Sequence, residues 1–118
     1  MANLSGPKYS IVLVSFPFDD FTGEKVRPAL CLTNEIGPYG HVIVAFISSN
    51  TESFHLRSDI LLDRALNDFS LTGLRVDSIV RLHRLVTLPS KIIKRALGNL
   101  PLDVQQTVKS KLIELFTE

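Results

Sequence analysis

Short apolar runs rich in β-branched residues recur along this chain, each cut off by proline, glycine or a polar stretch, and only the last segment changes period. Ile11-Val12-Leu13-Val14, Ala29 to Thr33, His41 to Ser48 and Ile60 to Leu62 are too short for core helices and lack helical spacing, so they read as buried strands. Ser78 to Leu82 is a further strand, Leu85 to Leu88 resumes the extended pattern, and Lys94 to Leu97 is a last short one. Ser90 caps a short helical turn through Ile93. From Pro101 onward, Val104, Val108, Leu112, Leu115 and Phe116 fall on one helical face. Turn signals every ~8–12 residues followed by a single helix predict a mainly β fold: a small antiparallel β-barrel with a C-terminal α-helix.

One such domain accounts for all 118 residues, with residues 1–7 as a loose arm. A hydrophobic content of 45% supports a core without disulfides, and the single Cys31 lies inside an apolar run as a small hydrophobe. No apolar run approaches membrane-spanning length, and the chain reads as cytoplasmic, with no membrane partner. No His/Cys/Asp/Glu spacing suggests a metal, and no glycine-rich phosphate loop is present, so neither metal nor cofactor is expected.

The net charge of +1 does not announce nucleic acid, but its distribution is uneven. Between Arg75 and Asn99 lie Arg75, Arg81, Arg84, Lys91, Lys94 and Arg95, against the single acid Asp77. Acids outnumber bases between Glu52 and Asp68. That asymmetry can build one positive face. A second signal is the polar, glycine-containing loop from Phe16 to Val26, which runs through Arg27-Pro28 into an apolar strand. A buried strand is a rigid mount, and Pro28 biases Arg27 toward an extended backbone. A planar, permanently charged fork held that way suits a phosphate. Phe16, Phe18 and Phe21 flank the loop, and an exposed one could stack on an unpaired base.

Three segments together resemble the MazF/PemK family, the ribonuclease toxins of bacterial toxin–antitoxin pairs. The first is Ile11 to Val14 with Phe16-Pro17-Phe18 and Arg27-Pro28-Ala29-Leu30; the second is Val44-Ala45-Phe46-Ile47-Ser48-Ser49. The third runs from Asp77 through Arg81-Leu82-His83-Arg84 to Leu88, followed by Leu97-Gly98-Asn99-Leu100 and the helix. The resemblance implies an SH3-like barrel with a C-terminal helix, shared with the topoisomerase-poisoning CcdB toxins. It also implies a homodimer, a single-stranded RNA substrate cut without a metal at a short sequence, and a cognate acidic antitoxin. In much of the family the 2′-hydroxyl attacks, leaving a 2′,3′-cyclic phosphate and a 5′-hydroxyl.

Carried over by position, Arg27 is expected at the scissile phosphate and Ser48 stands where the family usually has threonine. Arg81 and His83 fall where some members have a functional arginine and aspartate. Chemically, a guanidinium stabilises the phosphorane oxygens, a serine hydroxyl can donate to them, and His83 is the natural proton-transfer group. Arg81, Arg84 and Lys25 are expected on the RNA backbone, Phe18 on a base, and Ser49 is the neighbour able to take the role of Ser48. Two other readings fit the same fold: a nucleic-acid-binding barrel without catalysis, and a CcdB-like topoisomerase inhibitor.

Overall fold

Proline and backbone register decide where the strands of this protein pair and where they part. The computed structural model of the chain describes residues 6–16, 25–54 and 56–118; Phe18 and the turn expected at Gly23 lie outside the described residues. The strands are β1 (Ser10–Phe16), β2 (Lys25–Cys31), β3 (His41–Ser48), β4 (Asp59–Leu62), β5 (Ser78–Pro89) and β6 (Ile93–Asn99). They form one antiparallel sheet in the order β4-β5-β3-β2-β1-β6, followed by the helix α1 (Leu102–Thr117). The fold is thus mainly β with a C-terminal helix, as expected. The barrel is a looser description: β4 and β6 end the sheet without pairing to each other, so it stays open.

Both faces of the sheet are buried, which is why its strands read as continuous apolar runs instead of alternating ones. Ile11, Leu30, Ala45, Ile47, Val80 and Leu82 face one core cluster, into which α1 inserts Val104 and Val108. Val12, Val14, Ala29, Cys31, Val42, Val44 and Leu88 form the second. Cys31 is fully buried, and that burial pushes its thiol pKa up, partly offset by a hydrogen bond with Ser10. It behaves as core, not as a reactive thiol.

The extent of β5 and the end of the helical face both differ from the sequence reading. β5 is one strand of 12 residues, not two segments. A register shift, from Ala45 opposite Leu85 to Phe46 opposite Arg81, loops out residues 82–84 without ending the strand. Bulges of this kind bend a strand and strengthen its twist. On the helix, Phe116 is 71% exposed and does not join the apolar stripe. Steps of four residues advance about 40° each, so by Phe116 the row that starts at Val104 has drifted about 120°. Leu115, only about 20° from Val104 by the same count, is half-buried.

Two glycines bring the segment after the 3₁₀ turn Phe69–Thr72 down onto β6. A Cβ on Gly98 would lie 2.1 Å from the Leu71 carbonyl oxygen, and one on Gly73, at φ +72°, 2.1 Å from that of Leu97. Both obstacles are backbone, which cannot swing aside. Gly98→Ala should therefore cost about 1–3 kcal/mol, the usual range for overpacking. Urea unfolding checks this, and a midpoint equal to wild type would show that the segment is not clamped.

Candidate functional site

β2 begins at Lys25, four residues earlier than the apolar pattern suggests, so Arg27 and Pro28 stand within the strand. There Arg27 is opposite Val14 and Pro28 opposite Leu13 of β1. On its other side β2 pairs with β3 only from Ala29 to Cys31. Pro28 has no N–H to extend that ladder. Beyond Phe46, Ile47 and Ser48 of β3 stay paired with β5 instead. The gap between the diverging strands opens into a cavity of about 350 Å³, bordered by Arg27 and Pro28 on one side and Ile47 and Ser49 on the other.

The remaining walls come from β1, β6 and the chain that leads into β5. Leu13 contributes from β1, Arg95 and Leu97 from β6, and residues 73–76 with Ser78 from the connecting segment. Leu13 has Pro28 opposite it on one flank and Arg95 on the other, so Arg27 and Arg95 stand on the two strands that bracket β1. Arg75 closes the ring from the connecting segment. That segment is well held. Thr72 Oγ1 donates to Phe69 O at 2.7 Å and accepts from Leu74 N at 3.1 Å, while Ser78 Oγ donates to Val76 O at 2.9 Å. Arg64 N donates to Asp77 Oδ1 at 3.2 Å, and Arg64 Nη2 to Arg75 O at 3.4 Å.

Arg27, Arg75, Arg95, two serines and the mostly apolar residues Leu13, Ile47, Leu74, Val76 and Leu97 thus border one opening, with no acidic residue in the described lining. Arginines stay charged at any accessible pH, so their presence along one opening favours an anionic ligand there. Fixed donors beside apolar surface suit a ligand that is part phosphate and part flat ring.

The other expected site residues are distributed differently. Ser49 borders this cavity and Ser48 does not; Ser48 is half-buried, its Oγ accepting from Asn50 N at 3.1 Å. Arg81 is committed to the fold: Nη1 donates to Asp59 Oδ2 at 2.7 Å and to Ser53 O at 3.0 Å, and Nη2 contacts Ser53 Oγ. Its ion-pair partner is Asp59 of β4. His83 borders a second cavity, of about 430 Å³, beside Leu56, Arg57, Ser58, the helix residues Lys111, Glu114 and Leu115, and the terminal Glu118. The two cavities share no lining residue. The guanidinium of Arg84 lies 4.8 Å from the centre of the Phe46 ring, a cation–π contact. Lys25 is exposed at the start of β2, on the same side as Arg27 by strand alternation. Arg75 and Arg95 were not singled out by sequence, although both belong to the basic stretch from Arg75 to Asn99. Among the described residues no group of His, Cys, Asp and Glu could hold a metal ion, and no helix is long and apolar enough to cross a membrane.

Comparison with known proteins agrees with this architecture. Residues 8–116 match the family model described as PemK-like, MazF-like toxin of type II toxin-antitoxin system. No curated protein matches the chain significantly. Among solved structures, the Mycobacterium tuberculosis toxin MazF-mt6 superposes with a TM-score of 0.69 at 22% identity, covering 91% of this chain and 95% of that one. A MazE-MazF structure from Deinococcus radiodurans gives a TM-score of 0.66 at 21% identity, with 93% of each chain covered. These likenesses are to the fold, whereas the family match spans nearly the entire sequence: the chain belongs to the PemK/MazF family of toxins of type II toxin–antitoxin systems.

Proposed function

We propose that this protein is a sequence-specific endoribonuclease that cuts single-stranded RNA without a metal ion, at the Arg27 cavity. Family membership supports the class of activity. The observation that carries the site is the grouping of Arg27, Arg75 and Arg95 around Ser49 with no acid in the described lining. A polyanion is the ligand such a ring favours.

The reaction follows the chemistry of RNA itself. The 2′-oxygen attacks the adjacent phosphorus and the bond from phosphorus to the 5′-oxygen breaks, leaving a 2′,3′-cyclic phosphate and a 5′-hydroxyl. The 2′-oxygen loses a proton and the departing 5′-oxygen gains one. Arg27 stabilises the charge that gathers on the non-bridging oxygens, where a fixed guanidinium counts most. Ser49 takes the phosphate-orienting role first given to Ser48, because its residue borders the cavity. His83 borders the other cavity, and the proton transfer is not routed through it. Arg84 and Lys25 lie outside the described cavity lining and serve the outer track of the RNA backbone.

The reading includes a homodimer working in the cytoplasm, and an acidic antitoxin that covers the basic cavity. A MazE-MazF assembly has been solved for the Deinococcus relative. A long defined RNA incubated with the protein in EDTA should yield discrete fragments ending in cyclic phosphate. His83→Ala should keep the cleavage rate within about threefold of wild type, since loss of a general acid or base costs about 10²–10⁴-fold. A drop of that larger size would return His83 to the chemistry. Intact RNA with antitoxin-free, folded wild type would favour a non-catalytic binding barrel or a topoisomerase inhibitor.

A further inference from the structure

We infer that Arg75 and Arg95 form a second phosphate subsite beside Arg27, so that the cavity takes an RNA segment carrying at least two successive phosphates. The inference rests on the nuclease reading for the role of Arg27 but stands on its own observations for the subsite. Of the six arginines besides Arg27, four have side chains engaged elsewhere. Arg81 pairs with Asp59, Arg57 with Glu114 and Glu118, Arg64 reaches the Arg75 carbonyl, and Arg84 lies over Phe46. Arg75 and Arg95 are exposed, and neither side chain has a partner among the described residues. Both border the same cavity as Arg27.

Their placement is built in. Arg75 follows Gly73 by two residues and Arg95 precedes Gly98 by three, and these glycines permit the close backbone contact that brings the two segments together. Any side chain at either glycine would force them apart. Arg27 and Arg95 sit on strands separated by β1, two strand spacings or about 10 Å between backbones. Between them Leu13, Leu74 and Leu97 offer apolar surface to the intervening nucleoside.

The test uses a fluorescent single-stranded RNA pool of mixed sequence with 2′-O-methyl ribose throughout, which binds but cannot be cut. Affinity is measured against salt for wild type, Arg75→Ala, Arg95→Ala and their Lys counterparts. Lys109→Ala, an exposed helix charge outside both cavities, is the control. Each alanine variant should bind about tenfold more weakly. Its salt slope should fall by about 0.7, the share of one phosphate contact on a single strand. The lysine variants should recover the slope but only part of the affinity, because they keep charge and lose the fork. On cleavable RNA, Arg75→Ala and Arg95→Ala should raise KM and leave kcat within about twofold, as expected for loss of binding shared by ground and transition states. Slopes and affinities equal to those of wild type and Lys109→Ala would overturn the subsite, even if wild type cleaves RNA. Wild type that binds with the predicted slopes but never cleaves would instead remove the nuclease reading and leave the subsite standing. Absence of RNA binding by wild type would remove both.

Discussion

Arg81→Ala should lower the free energy of unfolding by about 3–5 kcal/mol, a large share of the stability of a domain this size. The Asp59 side chain is fully buried and that of Arg81 is 13% exposed, so water cannot replace the guanidinium once it is gone. Asp59 sits directly opposite Arg81 in the register of β4 and β5, and its Oδ2 also accepts from Leu56 N at 3.2 Å. The variant would leave this carboxylate buried with the hydrogen bond from Leu56 N, and would free Ser53 from the contacts that tie its turn to β5. Removing both charges together, as Asp59→Leu with Arg81→Leu, should cost far less than removing the arginine alone, because the penalty comes from the stranded charge more than from the lost attraction. Urea denaturation of the two variants separates these cases. A loss below about 1 kcal/mol for Arg81→Ala, the range of an exposed ion pair, would contradict the buried reading. The residue's position in the basic stretch suggested RNA contact; its geometry assigns it to the fold.

Arg27→Ala should leave folding nearly intact and lower the cleavage rate about 10²–10³-fold, the usual effect of removing one fixed donor from a developing oxyanion. Arg27 is exposed on β2, and its strand is held by Ala29, Leu30 and Cys31, all fully buried. Losing an exposed arginine with its surface interaction moves stability by about 1 kcal/mol or less. Arg27→Lys should recover only part of the rate, since an ammonium keeps the charge without the two-pronged geometry. The contrast with Arg81 is the informative part: the Arg81 variant should lose stability, and the Arg27 variant should lose cleavage. Thermal melts and initial rates on the same preparations read the two effects independently.

Much of this architecture was legible in the residues, because the central stretches of β1, β2, β3 and β5 are apolar on both faces and the breaks are marked by glycine, proline or a polar stretch. The helix was readable from Val104 and Val108, and the family from segments spread over nearly the whole length. What the sequence hid depends on register. The polar pair His83-Arg84 interrupts the apolar pattern at the looped-out residues 82–84, but nothing local shows that the strand continues through them. The choice between Ser48 and Ser49 turns on which residue follows the last one on the Ile47 face, and a shift of one position decides it. Arg81 shows its buried partner only once β4 lies beside β5, and Asp59 is 22 residues away in sequence. Arg75 and Arg95 were visible as charge but not as a site, because their meeting depends on the backbone contacts at Gly73 and Gly98. The open sheet likewise follows from β4 and β6 failing to meet, which strand count alone does not determine.

The most direct measurement is a single-turnover time course on one long defined RNA in EDTA, with antitoxin-free wild type and Arg27→Ala side by side and the 3′ ends mapped. The account predicts discrete cuts ending in 2′,3′-cyclic phosphate for wild type, and the same cuts about 10²–10³-fold slower for a normally folded Arg27→Ala. Equal rates for the two proteins, or no cleavage by folded wild type, would contradict it.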